Sequence, residues 1–163
     1  MVSSGLALIL AGCGGEGESH PTDSSQAGIE AFLAAGHHHR PPFTAQTDAP
    51  REATWEVSPH GRVQVWLNET LLDSQRTGNG GFMGSAHTTG SMAIKELYDS
   101  SDDLIGEAVM LKIDGVAASW VYYCRGPADR CGFTEGDSPH YGVAYDSECY
   151  YCHGGEIFNE PPQ

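Results

Sequence analysis

The sequence is short of positive charge and of long apolar segments. Its 163 residues include 8 Lys and Arg against 22 Asp and Glu, which gives a formal net charge of −14. A surface of this charge repels the phosphates of nucleic acids and of anionic lipids, so we expect no nucleic-acid partner. No stretch approaches the roughly 20 apolar residues that a membrane-spanning helix needs. The length suits one ordinary domain with a modest core.

The N-terminus carries a short apolar run, 6–11, that leads into Leu10-Ala11-Gly12-Cys13. This pattern resembles a bacterial lipoprotein signal, in which a peptidase cuts before the cysteine and the cysteine receives lipid chains. The apolar run is short for such a signal, and no Lys or Arg precedes it. A start codon assigned too far downstream would explain both departures. The alternative interpretation of this segment is an ordinary secretory signal. We expect 1–12 to be a signal, Cys13 to be lipidated, and the protein to be anchored to a lipid bilayer of the bacterial cell envelope, in the periplasm or at the outer membrane.

A polar segment and then a helix follow the predicted anchor. Residues 13–24 are rich in Gly and acidic side chains, which predicts a flexible tether, and the folded domain is expected to cover 25–163. Ser25 is a candidate N-cap and Gly36 a natural C-terminal stop. Between them, apolar side chains recur at helical spacing at Ile29, Phe32 and Leu33.

Three consecutive histidines, His37, His38 and His39, open the next segment. The prolines and the absence of periodicity predict a loop over 37–50. Neighbouring side chains on a loop diverge, and no clustered cysteine or carboxylate completes a ligand set here. A weak incidental metal site is the alternative interpretation.

From residue 62 onward, four short runs are typical of strands: two alternate between apolar and polar residues, the third is a compact apolar run and the fourth is rich in Trp, Val and Tyr. A period of two is typical of strands with one buried face. With turn-forming stretches between the runs, the pattern predicts an α+β fold: a mainly antiparallel sheet with one or two short helices packed against it. The predicted strands are RVQVWLN (62–68), SMAIKELY (91–98), EAVMLKID (107–114) and ASWVYYC (118–124).

Export changes the interpretation of the cysteines, because disulfides persist in the cell envelope. If Cys13 is lipidated, four of the five cysteines remain. Cys124 and Cys131 flank RGPADR, whose Gly-Pro pair predicts a turn, so these two are candidates for a disulfide.

The other two cysteines belong to a motif near the C-terminus, Cys149-Tyr-Tyr-Cys152-His153. Cys-x-x-Cys-His is the spacing that attaches haem c covalently. The two thiols add to the vinyl groups of one porphyrin, and the adjoining imidazole of His153 binds the iron. Two alternatives stay open: a four-sulfur zinc site that includes Cys124 and Cys131, and a disulfide between Cys149 and Cys152.

The order of these segments resembles the cytochrome P-460 and cytochrome c′-beta family, β-sheet haem proteins with the attachment motif at the C-terminal end. The resemblance spans about residue 28 to the end and is carried by GIEAFLAAG, VQVWLNE, HTTGSMAIKELYD, IGEAVMLKIDG, SWVYY and SECYYCH. It implies haem c on Cys149 and Cys152, His153 as proximal ligand, and an open distal face. Lys95 matches the lysine that P-460 members bond to the porphyrin rim. On a strand, Lys95 would share a face with Ala93 and Leu97.

The resemblance implies redox chemistry on a small nitrogen compound, either hydroxylamine oxidation or nitric oxide handling, with Lys95 as a catalytic residue. It also implies a redox partner protein, and family members are often homodimers. A gas-binding haem protein without turnover is the first alternative, and an electron-transfer cytochrome the second. Electron transfer would require a sixth iron ligand, for which the candidates are Met83, Met92, Met110, His60, His87 and His140. Candidates for a distal acid or base are Glu107, Tyr122 and Tyr123.

Overall fold

The structure is a computed structural model, and it describes residues 17–53, 58–77, 87–116, 119–132, 139–143, 149 and 153. Within these residues, one antiparallel sheet organises the fold. Its strands are β1 (Phe43–Ala45), β2 (Arg51–Glu52), β3 (Arg62–Asn68), β4 (Met92–Tyr98), β5 (Leu104–Lys112), β6 (Trp120–Arg125) and β7 (His140–Val143). The strand order is β1-β3-β4-β5-β6-β7, with β2 also paired to β3. The helices are α1 (Gln26–Ala34), α2 (Glu69–Arg76) and α3 (Ala128–Cys131).

The predicted fold class is confirmed as α+β with a mainly antiparallel sheet and few short helices. The four strands predicted from the sequence correspond to β3, β4, β5 and β6. The sequence pattern missed β1, β2 and β7, which have at most 4 residues each and are too short to show a period. It also missed α2, whose 8 residues form a helix that the side chain of Asn68 caps.

Both faces of the sheet are covered, and we name them by the helices that cover them. On the α1 face, α1 packs against side chains of the central strands: Met92, Ile94, Val109, Leu111, Val121 and Tyr123. On the α2 face, residues of α2 and α3 pack against Val63, Val65, Leu67, Ala93, Leu97 and Cys124. Because neighbouring residues of a strand point to opposite faces, each central strand contributes to two separate cores.

The first helix forms as predicted. The Ser25 hydroxyl accepts a hydrogen bond from the backbone N–H of Gly28, and Gly36, just after the helix, takes a left-handed φ of 64°. The apolar positions at helical spacing are buried against the sheet: Ile29, Phe32 and Leu33. Local sequence signals therefore determine both the ends of α1 and its buried face.

Gly28 of α1 lies against the backbone of Asp23, and this close packing can be tested by substitution. Replacing glycine by alanine inside a helix usually stabilises a protein by about 1 kcal/mol. A Cβ at Gly28, however, would lie 2.0 Å from the carbonyl oxygen of Asp23. We expect Gly28→Ala to lower the free energy of urea unfolding by about 1 to 3 kcal/mol, the usual cost of overpacking. In the control, Gly115→Ala, the added methyl meets nothing within 4 Å; equal effects of the two variants would contradict the clash.

The second half of the predicted tether lies against the domain. The N–H of Gly17 donates to the carbonyl oxygen of Pro41 at 2.8 Å, and Asn68 donates from Nδ2 to the carbonyl oxygen of Ser19 at 2.8 Å. Pro21 is buried. The signal and the lipidation site at Cys13 lie outside the described residues. No described helix is long and apolar enough to cross a membrane.

The segment 37–50 is more ordered than a loop. His37–His39 form one 3₁₀ turn, and β1 pairs with β3 so that Phe43 lies opposite Asn68. A cis peptide bond joins Pro41 to Pro42. The prediction of a loop was wrong here because strand pairing and the burial of His38 and Phe43 hold the chain.

Candidate functional site

Lys95 lies in the middle of β4 on the α2 face. Its partners in the sheet register are Val65 on β3 and Ala108 on β5. As the alternation predicts, its neighbours on that face include Ala93 and Leu97, which pack with the α2 core. The lysine is half-buried and points into a pocket rather than to open solvent.

This pocket, which we call the Lys95 pocket, brings together distant parts of the chain. Its polar lining groups are His60, Lys95, Tyr122, Cys149 and His153. Other parts of the wall are small or flexible side chains: Ala93, Ala108 and Met110. The empty space at this pocket, including open solvent at its mouth, is about 430 Å³.

Three residues predicted from the sequence therefore line one pocket: Lys95, Cys149 and His153. Lys95 is more than 50 residues away from the other two in the chain, so only the fold joins them. Cys152, the second cysteine of the motif, lies outside the described residues.

The ring of His153 lies near two other rings. Its centroid is 6.3 Å from that of His60 and 6.2 Å from that of Tyr122, with interplanar angles of 32° and 34°. Cys149 is partly buried and packs against the cores on either side of the pocket, including Trp120 and Tyr122. Cys149 and His153, the two described residues of the C-terminal motif, thus lie against the sheet on its α2 face.

His60 lines the Lys95 pocket and is hydrogen-bonded through one ring nitrogen. Its Nδ1 is 2.9 Å from the carbonyl oxygen of Arg130. A carbonyl only accepts hydrogen bonds, so Nδ1 carries the proton and Nε2 carries the lone pair. Burial lowers the pKa of His60 to about 3, with further lowering by the charges of Lys95 and His153. His60 is therefore a neutral imidazole at physiological pH and a weak base, and its Nε2 lone pair is able to accept a hydrogen bond or bind a metal.

Burial also lowers the pKa of Lys95, to about 8. Lysine has an ordinary pKa near 10.4, so the shift increases the fraction of neutral amine at neutral pH by about two orders of magnitude. A neutral amine has a lone pair and is a nucleophile, whereas an ammonium ion is not. At the wall of the pocket, Lys95 thus has a larger neutral and nucleophilic fraction than an exposed lysine, although the ammonium form still predominates at neutral pH.

The predicted disulfide partners lie together beside this pocket. The Sγ atoms of Cys124 on β6 and Cys131 at the end of α3 are 2.04 Å apart, which is disulfide bonding distance. A disulfide sulfur is not a thiolate ligand, so this pairing and the four-sulfur zinc site exclude each other.

The fold places the candidate sixth ligands of the iron in different parts of the molecule. Of the candidate sixth ligands, His60 and Met110 line the Lys95 pocket, whereas Met92 belongs to the α1 core. His87 packs edge-on against Trp120. His140 pairs in the sheet register with Cys124, and Met83 lies outside the described residues.

The candidate distal acids and bases also separate. Tyr122 lines the Lys95 pocket. Glu107 accepts two-pronged hydrogen bonds from Arg125, at 2.9 to 3.1 Å. The hydroxyl of Tyr123 donates to Glu30 of α1 at 3.4 Å. Tyr123 also lines the Lys95 pocket, but its hydroxyl is hydrogen-bonded to α1. The sequence offered His60 only as an iron ligand, and the contact with Arg130 shows in addition which of its ring nitrogens carries the proton.

The chain was also compared with known proteins. No protein-family model, no curated protein and no solved structure matches it. The resemblance to the cytochrome P-460 and c′-beta family therefore rests on the motifs of the sequence and on their order.

Proposed function

We propose that the Lys95 pocket holds haem c and that the protein is an exported haem protein of the cytochrome P-460 type, lipid-anchored at Cys13. Thioethers to Cys149 and Cys152 attach the haem, and His153 binds its iron. The function is redox chemistry on small nitrogen compounds, hydroxylamine oxidation or nitric oxide handling. The observation that carries the proposal is that Lys95, Cys149 and His153 line the same pocket.

The residues present fit such a group. A thiol and an imidazole, the two donor types that attach and ligate haem c, lie on one wall. Alanines at 93 and 108 leave room above the sheet, and Met110 and Tyr122 supply apolar surface for a flat macrocycle. Bound haem c would supply an iron that exchanges electrons and binds a small ligand.

The chain's own residues have defined tasks in this proposal. Lys95 is the residue that would be bonded to the porphyrin rim, as the family resemblance implies; forming this C–N bond would remove one hydrogen from the amine and one from the rim, and would pass two electrons to an oxidant of the peroxide class. The Nε2 lone pair of His60 accepts a hydrogen bond from a substrate such as hydroxylamine and orients it, because Nδ1 is fixed as the donor to Arg130. Tyr122, beside His153, contributes a ring and a hydroxyl to the same wall. A redox partner protein would receive the electrons.

The bond to Lys95 is tested by mass analysis of a digest. We expect protein matured with haem-attachment machinery to yield the peptide of Lys95 joined to haem and a red-shifted ferrous Soret band. The peptide of Lys112, the other lysine of the chain, is an internal control and should have its unmodified mass. An unmodified Lys95 peptide with an ordinary high-spin spectrum would instead indicate the gas-binding function.

The position of His60 favours a second candidate function, electron transfer. A neutral imidazole whose Nε2 carries the lone pair is a strong sixth ligand for iron, and ligation there would block small molecules. An absorption spectrum separates the two functions. We expect a high-spin spectrum that changes when nitric oxide is added; a low-spin spectrum that becomes high-spin in His60→Ala would establish electron transfer instead.

A further inference from the structure

Three metal-binding side chains meet on the opposite, α1 face of the sheet. Nitrogen atoms of His38 and His39 and a carboxylate oxygen of Glu96 all lie within 4.8 Å of one another. The sequence interpretation found no carboxylate to complete a site at the histidines, and that was wrong. β4 supplies Glu96, 57 residues further along the chain than His39.

We propose that His38, His39 and Glu96 bind one divalent transition-metal ion of the zinc class. Two imidazoles and one carboxylate form the protein donor set of several zinc sites that keep an open position. This set is separate from the Lys95 pocket, because Lys95 and Glu96 are neighbours on β4 and point to opposite faces. The proposal is therefore independent of haem.

The carboxylate of Glu96 is buried and held in one orientation. Its side chain is only 3% exposed. Oε2 accepts hydrogen bonds from Trp66 Nε1 at 2.7 Å and from Tyr98 Oη at 3.0 Å. Oε1 faces the Nε2 atoms of His39 at 2.6 Å and of His38 at 3.3 Å. Such outer hydrogen bonds fix the direction of a metal-binding carboxylate.

The charge of Glu96 has no fixed cation beside it among its hydrogen-bond partners. The carboxylate of Glu96 is surrounded by hydrogen-bonding groups of the two histidines, Trp66 and Tyr98, and such contacts favour its charged form. Its acidic neighbour across the sheet, Glu107, is paired with Arg125. A buried charge is costly unless it is paired, and a divalent ion on Oε1 would supply the pairing charge.

The distances between donors suit a metal after a small movement. Ligands at about 2.0 to 2.1 Å in a tetrahedron are about 3.3 Å apart. The separation of His38 from Oε1 already has this value, whereas His39 is closer by 0.7 Å (3.3 minus 2.6 Å). His38 is only 2% exposed and is held in place, but the side chain of His39 is 51% exposed and is able to move outward. The same exposure leaves a fourth position for water.

The test uses the full chain as it is matured by the host, without a histidine tag. Calorimetric titration with Zn²⁺ is expected to show one bound ion per chain. The fine structure of the zinc X-ray absorption spectrum is expected to show two imidazole ligands and at least one oxygen ligand. We expect His39→Ala to weaken the zinc affinity at least tenfold. His37→Ala is the matched control and should bind as the wild type does, since His37 instead accepts a hydrogen bond from the N–H of Glu18 and stacks on Phe32.

His39→Ala is chosen because the side chain is half-exposed, so we expect the variant to fold, and circular dichroism checks this. A second variant, His39→Gln, keeps a side chain of similar length. Absence of stoichiometric zinc binding by the wild type would overturn the proposal. Equal affinity of His39→Ala, His39→Gln and the wild type would also overturn it, because the zinc would then be bound elsewhere. Haem content, measured in the same samples, reports on the Lys95 pocket alone and is expected to be equal in all variants.

Discussion

The double variant Cys149→Ser, Cys152→Ser is expected to contain no covalently bound haem after maturation in a host with haem-attachment machinery. A serine hydroxyl does not form the thioether that joins a cysteine to a porphyrin vinyl group. Mass spectrometry of the denatured protein should give the mass of the polypeptide alone, and the purified protein should lose the absorption of haem c. The wild type should be heavier by one haem.

The control for this experiment removes the other pair of cysteines. Cys124 and Cys131 lie at bonding distance from each other, so Cys124→Ser, Cys131→Ser should keep the covalent haem. Two results would contradict the proposed function: a wild type with the mass of the bare chain, or a Cys149→Ser, Cys152→Ser variant that keeps its haem. Neither result would affect the zinc proposal, whose ligands lie on the other face.

Asn68→Ala is expected to produce the largest loss of stability among the substitutions proposed here. The residue is fully buried, and its side chain makes four hydrogen bonds. Oδ1 accepts from the N–H groups of Leu71 and Met92, both at 2.9 Å. Nδ2 donates to the carbonyl oxygens of Ser19 and Gly90 at 2.8 and 2.7 Å. One amide thereby caps α2 and joins β3 to the start of β4 and to the N-terminal segment.

At about 1 kcal/mol for each hydrogen bond, and with buried partners left unsatisfied, Asn68→Ala should lower the free energy of unfolding by about 3 to 4 kcal/mol. Urea denaturation followed by circular dichroism measures this loss. Gln64→Ala is the matched control on the same strand, since its side-chain amide donates one hydrogen bond, to Thr47. A loss for Asn68→Ala no greater than that for Gln64→Ala would show that the four contacts do not act as described.

Both proposed sites depend on a register that the sequence pattern predicts only in part. Alternation along β4 placed Lys95 with Ala93 and Leu97, and Glu96 with Met92 and Ile94, and the structure agrees. A shift of one residue would exchange the two faces and move Lys95 to the α1 side. What the alternation does not reveal is which groups from other strands and turns face each residue.

The sequence by itself determined the features that depend on near neighbours: the ends of α1, the four central strands, the spacing of Cys149 and His153, and the closeness of Cys124 and Cys131. Each is set by contacts within a few residues, so composition and spacing are enough to predict it. Only the tertiary structure decided that Lys95 and His60 join His153 in one pocket, and that Glu96 meets His38 and His39 across the sheet. These groups are brought together by the order and pairing of strands, and pairing between distant segments leaves no periodic signal in the chain.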